Sequence, residues 1–217
     1  MLMVRTWIMS LDAWLTFVVI WTLAGLPLGP NAVHTINVTV RYGYPKCLAA
    51  PVGMALACII HATAGSLGIG ALLLLFPEVL LVLKLAGATY LGWLGIQLWR
   101  RRSGPVTSSD LPDESWLRLV ISACSVSLVN PKAILAYVAI FSPFIVADMA
   151  LIPQLVILIP TATVLVFLNY VGYSMLAWPI RNWMNSDSKR RLFDRIAGSM
   201  FFGFASMLLY SAARSSR

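Results

Sequence analysis

The residue with the most chemistry to offer is Lys132, in the triplet Asn130-Pro131-Lys132. It lies about fourteen residues into an apolar segment that begins near Arg118, too deep for its stem to reach either bilayer surface easily. A basic residue near the bilayer centre costs at least roughly 2.5–3.5 kcal/mol on insertion scales, so such residues face a cavity or a partner. No acidic residue falls at similar depth, since Asp12, Glu78 and Asp148 all lie at segment ends. An ammonium without an internal counter-ion is suited to receive a carboxylate carried by a solute. The alternative is a structural lysine bonded to carbonyls that Pro30 opens.

That opening is expected because a second broken segment carries Pro27-Leu28-Gly29-Pro30-Asn31. Proline inside a helix removes a hydrogen bond and clashes with the carbonyl one turn earlier, so both segments should kink or unwind. Freed backbone groups are tolerated in lipid only where protein or a wet cavity covers them. Gly29, Pro30, Asn31, Asn130, Pro131 and Lys132 are therefore the candidate substrate-binding residues. His61, one turn from Cys58 on another segment, adds a side chain of the kind that titrates near neutral pH. It reads equally as a helix–helix hydrogen bonder or as a functional group.

Composition sets the elements that must hold these residues. Of 217 residues, 16 are basic and 8 acidic, so 11% are charged, against roughly 25% in a soluble domain. The apolar share is 59% and the mean hydropathy +0.83. A soluble globule needs more surface charge than this, which excludes a soluble enzyme and a disordered chain. A crossing takes about 20 apolar residues, leaving room for about six spans and no second, water-soluble domain.

Six apolar segments can be marked: Trp14 to Val40, Cys47 to Phe76, Val79 to Trp99, Trp116 to Val146, Ile152 to Trp178, and Leu192 to Ala213. Isolated strands cannot satisfy their backbone in lipid, so helices are expected. The expected fold is an all-α integral membrane protein with a single transmembrane domain over residues 1–217. Half-repeats 1–102 and 113–217 are joined by a polar linker, 103–115. Arg5 precedes an apolar stretch with no small-residue cleavage site, so the N-terminal segment reads as a first span and not a removed signal peptide.

The net charge of +8 and pI of 9.8 do not form a nucleic-acid docking face, and no nucleic-acid partner is expected. The 1–2, 3–4 and 5–6 connections carry eleven basic residues: Arg41, Lys46, Arg100, Arg101, Arg102, Arg118, Arg181, Lys189, Arg190, Arg191 and Arg195. The opposite face carries four, Arg5, Lys84, Arg214 and Arg217. This asymmetry places the three connections in the cytoplasm and both termini outside. Trp99, Trp116, Trp178 and Trp183 flank the basic connections as interfacial anchors.

The third and sixth segments repeat a pattern. Lys84-Leu85-Ala86-Gly87 precedes Tyr90-Leu91-Gly92-Trp93, and Arg195-Ile196-Ala197-Gly198 precedes Phe201-Phe202-Gly203-Phe204 at the same spacing. Three spans per half is an odd number, so duplicated halves would lie inverted: six transmembrane helices as two inverted three-helix repeats. Secondary transporters are often built so, with the substrate at mid-bilayer between the halves. Ala88 with Gly92 and Ser199 with Gly203 are small-xxx-small pairs that allow close helix contact, as packing or in a homodimer.

Gly29-Pro30-Asn31, the run Lys84 to Trp93, and Asn130-Pro131-Lys132 together resemble the lysine-exporter/homoserine–threonine-resistance (LysE/RhtB) superfamily. The resemblance runs over nearly the whole chain. It implies a multi-pass plasma (inner) membrane exporter of amino acids or close derivatives, driven by a proton or ion gradient. Two departures stand out. The family usually reads Pro-Gly-Pro where this chain has Leu28-Gly29-Pro30, and many members carry Gly-Asp where this chain has Ala57-Cys58. Loss of that carboxylate bears on how a substrate ammonium or a coupling proton is handled.

Two rival functions remain at this point. One is a membrane redox carrier using Cys58 and Cys124; the other is a non-transporting scaffold subunit. The three cysteines form no CxxC pair and no disulfide framework, and Cys58 and Cys124 sit beside no activating charge. No paired intramembrane carboxylate, HExxH or Ser/His/Asp arrangement supports an enzyme, and no cofactor or metal is expected. The expected partners are a small-molecule substrate and the lipid bilayer.

Overall fold

The computed structural model describes residues 9–66, 77–100, 114–145, 150–183 and 186–215, and every regular element among them is helical. Helix α1 (Leu11–Gly25) starts at Ser10, whose hydroxyl accepts the Ala13 N–H at 3.3 Å. Helix α2 (Pro30–Tyr42) starts with proline in its first position, where a missing N–H costs no helical bond. The two helices meet at 69°, so the segment Trp14 to Val40 is a broken pair and not one continuous span.

A 3-10 turn at Lys46–Leu48 leads into α3 (Ala49–Ser66). Helix α4 is Pro77–Arg100 and α5 is Trp116–Leu128. The segment Trp116 to Val146 also divides: α5 ends before Asn130, which caps α6 (Pro131–Ala136) through its side chain. A π turn at Tyr137–Phe141 and a 3-10 turn at Ser142–Phe144 follow, a further unwinding around Pro143, whose ring clashes with the carbonyl one turn earlier. Helix α7 (Leu151–Trp183) is continuous over 33 residues, and α8 (Asp187–Ser215) closes the order. The end of the second segment (67–76), most of the linker (103–113), Arg5, Arg101, Arg102, Asp148 and Arg217 lie outside the described residues.

Among the described residues, three stretches are long and apolar enough to cross a bilayer: Lys46–Ser66, Leu151–Arg181 and Arg191–Tyr210. The α1–α2 pair passes the same test as a bent fourth. Large apolar side chains on α7, among them Ile152, Val156, Met175 and Leu176, point outward, a surface suited to lipid and unsuited to water. Trp99, Trp116 and Trp178 are exposed beside the basic connections.

The two repeated segments pack against each other. Gly87 faces Leu208, Gly95 faces Gly198, and Trp99 lies beside Phe202, so α4 and α8 run antiparallel. Ala88, Leu91, Ala197 and Phe201 are buried in their seam. The small-residue contact is not where the sequence placed it. A Cβ at Gly92 or Gly203 would meet nothing within 4 Å, whereas one at Gly95 would come 3.1 Å from the Gly198 carbonyl. A Cβ at Gly87 would come 2.6 Å from the Val129 carbonyl, so α4 also braces the second break.

Candidate functional site

The last carbonyls of α1 have no helical partners, as at any helix C-terminus, and the turn at Leu26–Gly29 cannot supply them all. Three side chains from elsewhere bind carbonyls here, one in the last turn of α1 and two in the turn that follows. Asn169 Nδ2 donates to the Thr22 carbonyl at 3.5 Å, the Tyr173 hydroxyl donates to the Leu26 carbonyl, and Lys132 Nζ donates to the Pro27 carbonyl at 2.8 Å. Asn169 and Tyr173 stand one turn apart on α7, so one face of that helix serves two of the three. Space for Asn169 exists because residue 25 is glycine: a Cβ there would come 2.5 Å from its Nδ2.

The second break is served by the first. Asn130 Oδ1 accepts the Lys132 N–H at 3.1 Å, and Asn130 Nδ2 donates to Asn31 Oδ1 at 2.8 Å. Asn31 Nδ2 in turn donates to Ser127 Oγ at 3.0 Å. All three polar residues are buried, and burial of an amide is tolerable only when its hydrogen bonds are made in this way. Asn31 and Lys132 are each the second residue of a helix begun by proline. Each reaches across to the chain just before the other's break.

Gly29, Asn31, Asn130 and Lys132 thus come together, with Pro30 and Pro131 setting the two helix starts. A cavity of about 70 Å³ lies at their junction, walled by Trp21, Met54, Tyr137, Val166, Asn169 and Tyr170. That volume holds on the order of five water molecules or one small solute. Pro27 and Lys132 are exposed, so the cavity opens on their side. Among the described residues, no aspartate or glutamate lines it. An ammonium offers three donors, of which Pro27 takes one, so a carboxylate entering here meets a cation.

Cys58 and His61 are not among the lining residues. Cys58 is buried in an apolar cluster with Phe17, Trp21, Tyr137 and Phe141, and its Sγ accepts the Thr163 hydroxyl at 3.7 Å. The His61 ring packs on Tyr137 with centroids 5.0 Å apart, so the tyrosine stands between the histidine and the cavity. All three cysteines are free thiols. No group of three or more His, Cys, Asp or Glu side chains gathers among the described residues. Asn169, Tyr170, Tyr173 and Ser127 were not anticipated. The available signal was Asn169, an amide inside an otherwise apolar run.

The family model for the LysE type translocator matches residues 22–212. A homoserine/homoserine lactone efflux protein of Salmonella typhimurium is 31% identical over 203 residues, covering 92% of this chain and 97% of the relative. A leucine efflux protein of Enterobacter sp. (strain 638) is 26% identical, covering 83% and 87%. The arginine exporter protein ArgO of Serratia proteamaculans is 27% identical, covering 87% and 91%. No solved structure matches the chain. The apolar helices and these relatives make it a multi-pass protein of the plasma (inner) membrane. The features that suggested an exporter superfamily are those of a real member: the chain belongs to the LysE type translocator family.

Proposed function

We propose that this chain is a secondary exporter that moves a small neutral amino acid out of the cytoplasm, held where the two broken helices meet. The observation that carries this is the convergence of Asn31, Asn130 and Lys132, from segments about a hundred residues apart, on one small cavity. Lys132 receives the substrate carboxylate, and buried amides and the Tyr170 hydroxyl complete the polar wall. Among the described residues the cavity has no carboxylate to balance a cationic side chain, which favours a neutral solute over arginine. Its size favours a short one. Relatives named for homoserine and leucine efflux agree with that class.

The architecture that fits is six spans in two inverted halves. In its favour, α4 and α8 pack antiparallel, and each half carries a break closed by proline at the next helix start. Such breaks in corresponding positions mark substrate sites in inverted-repeat transporters.

The test loads cells, with and without the protein, with dipeptides that release homoserine, leucine or arginine inside. Homoserine efflux should rise several-fold and arginine efflux should stay at background. No rise for any amino acid would sink the exporter reading, and a rise led by arginine would sink the neutral class.

A further inference from the structure

Helix α2 carries a polar stripe. Asn31 lines the central cavity, and His34, Asn37 and Arg41 follow at intervals of three, three and four residues. At 1.5 Å rise per residue the stripe is about 15 Å long, leading from the broken helices to the end of α2 that bears Arg41. Beside it lies a second cavity of about 260 Å³, between α2, α4, α5 and α8. It widens outward into a space of about 460 Å³ that shares Trp93, Gln97 and Glu114 with it.

Two polar atoms in this wall have no partner. His34 Nε2 and Asn37 Nδ2 are buried without a hydrogen bond, on residues that are each 8% exposed. Native structures rarely leave such groups unpaired, and each instance needs an explanation. The fold does not provide one. Asn37 Oδ1 is held by Arg41 Nε at 3.1 Å, and Arg41 is itself neutralised by Asp194 at 2.6 Å. The amide N–H₂ of Asn37 is left over.

Charge of both signs stands nearby. Arg118 and Glu114 line the same cavity and face each other at 3.7 Å, one helical turn apart. An exposed pair of this kind is weak and opens readily to a competing ion. Leu94, Leu98 and Phe201 supply an apolar wall.

We infer that this vestibule is a second binding site, on the cytoplasmic side of the central cavity, for a small zwitterionic amino acid. The solute carboxylate takes Asn37 Nδ2 and the Arg118 guanidinium, and its ammonium takes Glu114. His34 Nε2 pairs with a further polar atom of the solute, and the side chain rests on the apolar wall. The order of events rests on the exporter reading: a solute captured here passes along α2 to Asn31 and Lys132.

The test is equilibrium binding of radiolabelled L-homoserine to the purified full chain in lipid nanodiscs. Wild type should bind two equivalents. Lys132→Met should keep the vestibule equivalent, and Asn37→Leu should keep the central one. Ser122→Met fills the same vestibule from α5 without touching Arg41, and should match Asn37→Leu; it decides the matter if Asn37→Leu fails to elute as a folded species. The inference is overturned if no binding survives Lys132→Met, or if the vestibule variants still bind two equivalents. Failure of the exporter reading looks different: two equivalents bind, yet dipeptide-loaded cells release no homoserine.

Discussion

Asn130 donates its side-chain N–H to Asn31 Oδ1 at 2.8 Å, joining the two helix breaks across 99 residues of sequence. Interhelical bonds of this kind in membranes average only about 0.6 kcal/mol, because the separated helices also find partners. A link that weak can be exchanged for bonds to a solute. With the Lys132–Pro27 bond it gives the junction two polar ties that a carboxylate-bearing ligand can replace.

The asparagine pair should behave as one unit. Asn31→Ala strands Asn130 Nδ2 and Ser127 Oγ and should cost about 1–3 kcal/mol, as unsatisfied buried groups do. Asn130→Ala should cost a similar amount, and the double variant clearly less than the sum. Denaturant unfolding in mixed micelles measures all three. Strict additivity would mean that the bond carries no coupling.

Lys132→Met keeps side-chain length and removes the charge. It should reach the membrane in wild-type amount, because burying the ammonium is costly in lipid. Homoserine efflux should fall at least tenfold. Lys132→Arg offers a planar fork in place of a compact ammonium and should recover part of the efflux. Wild-type efflux from Lys132→Met would leave the lysine as a plug for the Pro27 carbonyl and nothing more.

Two glycine substitutions of equal size should part company. Gly53→Ala would press a methyl against the Val120 carbonyl and to 2.7 Å from Ala123 Cβ, where α3 and α5 cross. Such overpacking costs about 1–3 kcal/mol, read as a lower thermal midpoint. Gly92→Ala meets nothing and should be neutral or slightly stabilising, since alanine is the better helix former.

Cys58→Asp tests the departure from the family pattern. Cys58 is 1% exposed among aromatic side chains, and the cavity does not reach it. A carboxylate there is desolvated and unpaired, so the expected outcome is a reduced amount of folded protein with no gain in export. Raised efflux of a cationic amino acid would show that a carboxylate at this position reaches the substrate.

The orientation rests on charge alone and has its own test. Ser108→Cys should resist an impermeant thiol reagent in intact cells, relative to the parent chain, and react after permeabilisation. Reaction in intact cells would reverse the sidedness and place the vestibule outside.

Membrane residence and the positions of both breaks were determined by the sequence itself. Composition decides which solvent the chain tolerates, and Gly29-Pro30 and Asn130-Pro131 each join an N-cap residue to a proline suited to the first helical turn, whereas Pro160 and Pro179 follow Ile159 and Trp178 and lie inside the continuous α7. The convergence of Asn31 and Lys132 was expected on reading the two broken segments as corresponding positions of a repeat, because such breaks imply one shared site. Helix rotation was beyond reach. Lipid and protein interior are equally apolar, so a helix apolar on all sides carries no stripe that says which face turns inward. That is why Gly95 and Gly198, not Gly92 and Gly203, make the close contact. It is also why Cys58 faces an aromatic cluster and not the cavity. Only the tertiary structure could assign Lys132, Tyr173 and Asn169 to the carbonyls of Pro27, Leu26 and Thr22, because a freed carbonyl specifies that a donor is needed but not which helix supplies it.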